Sequence, residues 1–431
     1  MKIIIIFCIT FTCGFLGNVI SNANPLPYEA ISNFGDSISD TGNAAACYPS
    51  MDDNSPYDST YFKHPPGRVS NGRLIIDFIA EAYGLPMLPT YLNLSKGQDI
   101  RQGVNFAFAG ATALDMDYFI QKRLIPPSTN ISLSVQLDWF KKLKPSLCKN
   151  KQECDNYFKN SLFLVGEIGG NDINALISSN KNITELREIV LIIIEAIMNV
   201  TTELIEEGAV EIVVSGNFPI GCNTVVLTVV NSGNKDDYDQ FGCLVAYNVF
   251  IKYYNWRLNQ ALETLRQNNN HVKIIYFDYY GDAKRLFEAP QQYGFSFGKI
   301  DTFKACCGKG EPYNVDVHIF CGSLASTVCS DPSKHINWDG AHLTEAAYRL
   351  IAKGIVEGPF TSPSLKSPAF KITKIDIRIK GSFTYFDQFK IRIYIMAGRN
   401  DRAIVDALQA LAQAMSNNNK AGVNPNWLEQ F

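Results

Sequence analysis

Residues 30–43 read Ala-Ile-Ser-Asn-Phe-Gly-Asp-Ser-Ile-Ser-Asp-Thr-Gly-Asn, a short apolar run followed by a polar turn. The run is typical of a buried strand, and the glycine after it permits tight backbone geometry. Four later runs rich in β-branched or aromatic residues repeat the pattern. They are residues 104–108, 162–166, 210–215 and 272–278.

Longer segments with apolar residues at helical spacing separate these runs, notably 185–207 and 244–267. Strands that alternate with helices indicate a parallel sheet covered by helices. Five strands are too few for an eight-unit barrel, so the pattern favours a flavodoxin-like α/β fold with a mainly parallel, five-stranded sheet. With 431 residues, 46% of them hydrophobic, the chain is long enough for one large α/β domain or two small ones.

Ser37 follows the first strand directly, at the end of the sheet where open α/β folds bind their ligands. Gly110 and Asn171 follow the second and third strands in the same way. The N–H groups of Ser37 and Gly110 and the side-chain amide of Asn171 can supply three donors to an oxyanion. Each of these residues alone is also common in ordinary turns and helix caps.

His342 is the best candidate among five histidines for a catalytic base. Asp339 precedes it by three residues, so both side chains lie on one side of a turn. The carboxylate can then hold one ring nitrogen while the other faces a serine. His335 is a rival without an acid at comparable spacing, and an aspartate at a helix start beside an exposed histidine is the non-catalytic alternative.

A metal-dependent hydrolase is an alternative from another class of enzyme, because carboxylates and an imidazole can bind a divalent cation. Its ligands would be Asp36, Asp40, Asp172, Asp339 and His342. A secreted binding protein without catalysis is a third reading.

Residues 1–23 have the layout of a secretory signal peptide. Lys2 precedes an apolar run over 3–16, and Ser-Asn-Ala follows at 21–23. The run is short for a membrane span, and a buried strand is the alternative. We therefore expect a secreted protein, extracellular or in the cell wall, with the vacuole as another destination.

Export would permit disulfides among the cysteines that remain after the signal peptide, an odd number. Proximity pairs Cys148 with Cys154 and Cys222 with Cys243, and it leaves Cys47 as the candidate free thiol. Pairing within the last group of four stays open, with a zinc site as a rival that the adjacent cysteines disfavour. That group is Cys306, Cys307, Cys321 and Cys329.

Four Asn-X-Ser/Thr sequons are candidate glycosylation sites. They lie at Asn93, Asn130, Asn182 and Asn199, the last inside a predicted helix. The formal net charge is -3, which gives no indication of a polyanionic partner such as nucleic acid.

The segment 361–431 differs in composition, with ten Lys and Arg against five Asp and Glu. It starts Pro-rich, continues with an alternating run over 372–379 and ends with helical character over 403–415. We interpret 24–368 as the catalytic domain and 369–431 as a basic extension that the fold does not need, whether a true extension or a gene-model read-through.

The segments around Ser37, Gly110, Asn171 and His342, in this order, resemble the signature blocks of the GDSL, or SGNH, serine hydrolases of the plant type. Further agreement lies in 67–73, in 216–222, and in 305–308 followed by Cys321 and Cys329, so that the resemblance covers about 28–365. Ile38 stands where the family usually has leucine. The resemblance implies a three-layer α/β/α fold, a triad of Ser37, His342 and Asp339, and an oxyanion hole completed by Gly110 and Asn171.

These observations predict a two-step acyl transfer that needs no cofactor. The expected substrates are esters of small acyl groups or phenolic acids, with lipids as a further candidate. An acyltransferase, in which an alcohol replaces water, would use the same groups. We expect no stable membrane insertion, and the oligomeric state stays open.

Overall fold

The five apolar runs form five parallel strands in a computed structural model. The strands are β1 (Ala30–Phe34), β2 (Gly103–Asn105), β3 (Ser161–Val165), β4 (Glu211–Ser215) and β5 (Lys273–Phe277). The structure describes residues 27–48, 55–63, 67–179, 181, 183–368, 372–379 and 389–396. The predicted signal peptide and the helical stretch 403–415 lie outside these residues.

The sheet has the order β2-β1-β3-β4-β5, with the first two strands exchanged relative to the chain. This order is the flavodoxin-like one, and its switch point lies between β1 and β3. A sixth strand of two residues, β8 (Thr361–Ser362), pairs antiparallel with the end of β5 and covers that edge. The expected sheet of five strands is therefore extended by one.

The predicted second strand was too long at its carboxyl end. It was expected over 104–108, but regular pairing ends at Asn105. Beyond it, the N–H groups of Phe106 and Phe108 still donate to Asn33 O and Gly35 O at 2.7 and 3.1 Å, while the N–H of Ala107 donates to the Asn105 side chain at 3.0 Å.

Eleven helices surround the sheet in the described part of the chain. They are α1 (Asn43–Cys47), α2 (Ile75–Ala82), α3 (Met116–Gln121), α4 (Leu133–Leu147), α5 (Lys151–Phe158), α6 (Gly170–Ser178), α7 (Ile183–Glu206), α8 (Thr224–Val230), α9 (Val245–Asn268), α10 (Tyr279–Glu288) and α11 (Glu345–Glu357). The two long segments predicted from helical spacing correspond to α7 and α9.

Alternate strand residues pack into two separate cores, one on each face of the sheet. Phe163 and Val165 of β3 join the core formed with α4, α7 and α9. Leu162 and Leu164 of the same strand join the core formed with α2, α10 and α11. Each such apolar side chain contributes roughly 1.5–3 kcal/mol when fully buried. The chain thus forms the expected three-layer α/β/α fold.

Four disulfides link the cysteines beyond the first helix. Cys148 pairs with Cys154 and Cys222 with Cys243, as their proximity predicted. The last four form the bridges Cys306–Cys329 and Cys307–Cys321, so their sulfurs are not arranged as zinc ligands. Cys47 is the free, exposed cysteine of the described residues. Beside these bridges lies a short antiparallel pair, β6 (Cys307–Gly308) and β7 (Thr327–Val328).

The body, Pro25–Ser367, is one compact unit, and the strands beyond it belong to another. These are β9 (Ile372–Ile379) and β10 (Phe389–Met396), an antiparallel pair in which Ile372 lies opposite Met396. The alternating run at 372–379 is therefore a strand.

Candidate active site

Ser37 lies on a turn whose backbone leaves no room for a larger residue before it. At Gly35, φ is +152°, and a Cβ there would lie 2.8 Å from Ser39 Oγ and 3.0 Å from Glu167 O. The buried Gln136 of α4 holds both polar groups of Gly35: its Oε1 accepts the N–H at 2.9 Å and its Nε2 donates to the carbonyl at 2.8 Å. The turn is therefore rigid, and Ser37 is presented at the carboxyl end of β1.

The imidazole of His342 connects Ser37 to Asp339. Its Nε2 lies 2.9 Å from Ser37 Oγ, and its Nδ1 lies 2.8 Å from Asp339 Oδ2. The backbone N–H groups of Ala341 and His342 also donate to Asp339 Oδ1, at 3.0 and 2.8 Å. An imidazole held in this way can accept the serine proton and be stabilised as a cation.

Charge attraction moves the pKa values of His342 and Asp339 in opposite directions. Burial alone would lower the pKa of His342, but the charge of Asp339 and its hydrogen bond outweigh burial and raise the pKa above its ordinary value. For Asp339, burial raises the pKa, yet the imidazolium charge and hydrogen bonds from His342 and Tyr57 lower it overall. Asp339 therefore stays ionised beside a base that holds its proton firmly.

Tyr57 is a neighbour of Asp339 that the sequence analysis did not identify. Its hydroxyl donates to Asp339 Oδ2 at 2.9 Å. The two residues are far apart along the chain, and nothing local in the sequence around Tyr57 indicates this contact.

The segment 67–73 holds the turn that carries His342 in place. This segment was part of the family resemblance in the sequence, but the sequence indicated no role for it. Ser70 Oγ donates to Leu343 O at 2.8 Å, and Asn71 Oδ1 accepts the N–H of Glu345 at 2.8 Å. Arg73 pairs with the Glu345 carboxylate at 2.8 Å. The start of α11 is thereby fixed, and with it the position of the imidazole.

Two buried carboxylates fix the loop that contains Gly110. Asp40 accepts the N–H of Ala109 at 2.8 Å in addition to N–H groups of its own turn. From α6, Asp172 accepts the N–H groups of Ala113 and Leu114 at 2.8 and 3.0 Å. Gly110 has φ +85°, a conformation that favours glycine. The loop is therefore held between the serine turn and α6.

Asn171 lies at the start of α6, and its side-chain nitrogen faces the turn that carries Ser37. Its Nδ2 donates to Ala111 O at 3.0 Å and to Asp36 Oδ2 at 3.2 Å. Gly169, with φ +97°, precedes the helix. Asn171, Gly110 and Ser37 border the same cleft.

Three buried acids lie at or beside this cleft: Asp36 and Glu167 border it, and Asp172 follows Asn171 in the chain. Burial raises the pKa of Asp36 to about 7 and that of Asp172 to about 6. Burial also raises the pKa of Glu167 well above its ordinary value, and the charges of Asp36 and Asp172 add to this effect. These acids are costly to ionise together, so they retain protons at higher pH than ordinary carboxyl groups do.

The cleft over Ser37 has a volume of about 600 Å³ and one strongly apolar wall. The wall is formed by α8 together with Ile177, Phe218 and Ile220. No Lys or Arg borders the cleft within the described residues.

The five residues of the metal alternative do not form a metal centre among the residues described. No group of three or more His, Cys, Asp or Glu with suitable geometry occurs there. The carboxylates of Asp40 and Asp172 are instead occupied by backbone N–H groups.

The other histidines that can be placed lie away from the cleft. His335 Nδ1 lies 3.1 Å from Lys304 O, and His271 borders a separate surface depression. His318 is exposed, and His64 lies outside the described residues.

Three of the four sequons can be placed on the fold. Asn93, Asn130 and Asn199 are exposed, the last on α7, and Asn182 lies outside the described residues. No helix in the described ranges has both the length and the apolar character to cross a bilayer.

Comparison with known proteins identifies the family. The family model described as GDSL-like Lipase/Acylhydrolase matches residues 31–355. A GDSL esterase/lipase of Arabidopsis thaliana is 47% identical over 376 residues, which cover 84% of this chain and 100% of the relative. Another from the same plant is 46% identical, covering 80% of this chain and 88% of the relative. A sinapine esterase of Brassica napus is 42% identical, covering 81% and 90%.

The chain therefore belongs to the GDSL lipase/acylhydrolase family and is a carboxylic ester hydrolase. The expected family, fold and class of enzyme are confirmed.

Proposed function

We propose that the protein is a secreted serine esterase in which Ser37 is the nucleophile, His342 its general base and Asp339 the residue that orients the base. The observation that carries this proposal is the line of contacts from Ser37 Oγ through the imidazole to Asp339, at 2.9 and 2.8 Å. Its three members come from two ends of the chain, which makes a chance alignment of this kind uncommon.

The mechanism has two acyl-transfer steps. His342 accepts the Ser37 proton as Oγ attacks the ester carbonyl, and it then protonates the departing alcohol, which leaves an acyl-enzyme. Water, deprotonated by the same imidazole, attacks the acyl-enzyme, and the imidazolium returns that proton to Ser37 Oγ as the bond to the acyl group breaks and the acid is released. The carbonyl oxygen carries negative charge in both steps, and the Ser37 and Gly110 N–H groups and the Asn171 amide stabilise it.

The lining of the cleft favours uncharged esters with a small or aromatic acyl group. Its valine-rich wall offers apolar contact, and no basic side chain among the described residues borders it to select an anionic group. One relative is named a sinapine esterase, so sinapine is the first natural ester that we would assay.

The test compares wild-type protein with Ser37→Ala on a simple aryl acetate. We expect the variant to lose hydrolysis, with unchanged folding by circular dichroism. Equal rates would reject the esterase mechanism. An ester panel of increasing acyl length would then identify the substrate class, and added alcohol would reveal transfer in place of hydrolysis.

We also propose secretion after removal of residues 1–23, with glycans on Asn93, Asn130, Asn182 and Asn199. Four disulfides and three exposed sequons support this history. N-terminal sequencing and glycosidase treatment of the secreted protein test it, and a retained residue 1 would contradict the processing.

A further inference from the structure

We propose that Asp36 is a positioning residue that directs the Asn171 side-chain amide towards the oxyanion formed at Ser37. The inference rests on the proposed function, because it assigns a role in stabilising the same acyl-transfer transition state.

Both hydrogens of the Asn171 amide have acceptors. One is donated to the backbone carbonyl of Ala111 at 3.0 Å, and the other to Asp36 Oδ2 at 3.2 Å. If the amide turned over, its own oxygen would face these two acceptors, and oxygen would oppose oxygen at both contacts. The nitrogen, which is the donor that an oxyanion needs, is therefore kept on the side of the serine turn.

Asp36 is well placed for this role because it is rigid and adjacent to the nucleophile. It is 3% exposed, and its Oδ1 accepts the N–H of Ile38 at 3.0 Å. Its backbone N–H donates to Glu167 O at 3.2 Å, and its carbonyl accepts the N–H of Asp40 at 2.9 Å. Because Asp36 and Ser37 are joined by a single peptide bond, the position of Asp36 fixes that of the Asn171 amide relative to Ser37.

Of the two hydrogen bonds that Asn171 donates, the one to Asp36 is the longer. The same hydrogen can also be donated to an oxyanion as negative charge develops beside Ser37. Substrate in the ground state carries no such charge, so the benefit of a correctly turned amide arises mainly in the transition state. Loss of Asp36 should therefore reduce kcat with little change in KM.

A double-mutant cycle tests whether Asp36 acts through Asn171. We expect Asp36→Ala to lower kcat by about 10-fold or more, up to the roughly 10²–10³-fold loss that follows removal of an oxyanion donor itself. In protein that already carries Asn171→Ala, the same change should cost less than about 2-fold, because the amide it positions is absent. An equal loss in both backgrounds would overturn the proposal, as would no loss in the first.

Asp36→Asn provides a rescue and covers the case in which the alanine variant does not fold. Asparagine has one acceptor oxygen where Asp36 has two, which accept from the Ile38 N–H and from Asn171 Nδ2, so it should recover part of the lost kcat. It also removes a charge, and the Asp36 charge is one of the groups that raise the pKa of His342. The acid limb of kcat/KM should therefore move to lower pH, while the other neighbouring acids are retained. These are Asp40, Glu167, Asp172 and Asp339.

An unshifted acid limb together with an asparagine variant as slow as the alanine variant would reject the positioning role. Asp282→Asn is a matched control, since burial raises the pKa of Asp282 to about 7 as well, but it does not border the cleft. Ser37→Ala is measured alongside: if it keeps the wild-type rate, the serine mechanism itself fails, whatever the Asp36 variants do.

Discussion

The hydroxyl of Tyr57 donates a 2.9 Å hydrogen bond to Oδ2 of Asp339, the oxygen that also lies 2.8 Å from Nδ1 of His342. One carboxylate oxygen therefore serves both an imidazole and a phenol. The phenol reduces the negative charge available to His342 while it keeps the carboxylate in place.

Replacing Tyr57 by phenylalanine should weaken this support. We expect a loss of about 1.5–3 kcal/mol in the free energy of unfolding, typical of a hydrogen bond to a charged group. Without the phenol hydroxyl, Asp339 accepts one hydrogen bond fewer and should attract the imidazolium more strongly. The pKa of His342 should therefore rise, and the acid limb of the rate profile should move to higher pH. Chemical denaturation and pH–rate profiles measure the two effects. Tyr48→Phe, at an exposed tyrosine, is the control, and an equal change in both variants would contradict the assigned contact.

The members of the proposed triad should behave as a unit. Replacing His342 by alanine should lower kcat by about 10⁴-fold or more, and adding Ser37→Ala should cause little further loss, because neither residue works without the other. Steady-state kinetics on an aryl acetate check this expectation. Multiplied losses in the double variant would indicate that the two act separately.

Asn171→Ala should reduce kcat by about 10²–10³-fold with KM nearly unchanged, as expected for loss of an oxyanion donor. Asn174 is a matched control because it lies on α6, borders the same cleft and is exposed. Its alanine variant should keep kcat within about 3-fold of the wild type, since surface changes usually have small effects. Equal losses in the two variants would remove Asn171 from the oxyanion site.

The pH dependence of the reaction should follow the raised pKa of His342. The imidazole must be neutral to accept the Ser37 proton, so activity is present above its pKa and is lost as the pH falls through that value. Because Asp339 outweighs burial and raises this pKa, the acid limb of kcat/KM should lie above the ordinary value of 6.5. A limb well below pH 6 would contradict this electrostatic balance.

A charge on the apolar wall should alter the choice of acyl group. Val229 borders the cleft on α8 and is 59% exposed, so Val229→Asp should fold normally. We expect the KM for long or aromatic acyl esters to rise while acetate esters are little affected, because a carboxylate resists the loss of water that apolar contact requires. Val249→Asp, on the exposed face of α9, is the control. A uniform loss for all esters would indicate that α8 does not contact the acyl group.

Local sequence patterns predicted most of the fold and the candidate catalytic residues. Strand positions followed from runs such as Ala30–Phe34, where consecutive residues are buried, and helix positions followed from the spacing of apolar residues. The short strand β8 was missed because two residues give no periodicity, and its pairing with β5 depends on where the chain returns after α11.

The sequence by itself determined the order of strands and helices and the partnership of Asp339 with His342, because both depend on neighbours within a few residues. Only the tertiary structure decided that Ser37 lies within reach of the imidazole and that Tyr57 and Gln136 support the site. The physical reason is that these contacts join segments up to about 300 residues apart, whose meeting depends on packing of the whole sheet and its helices and not on local spacing.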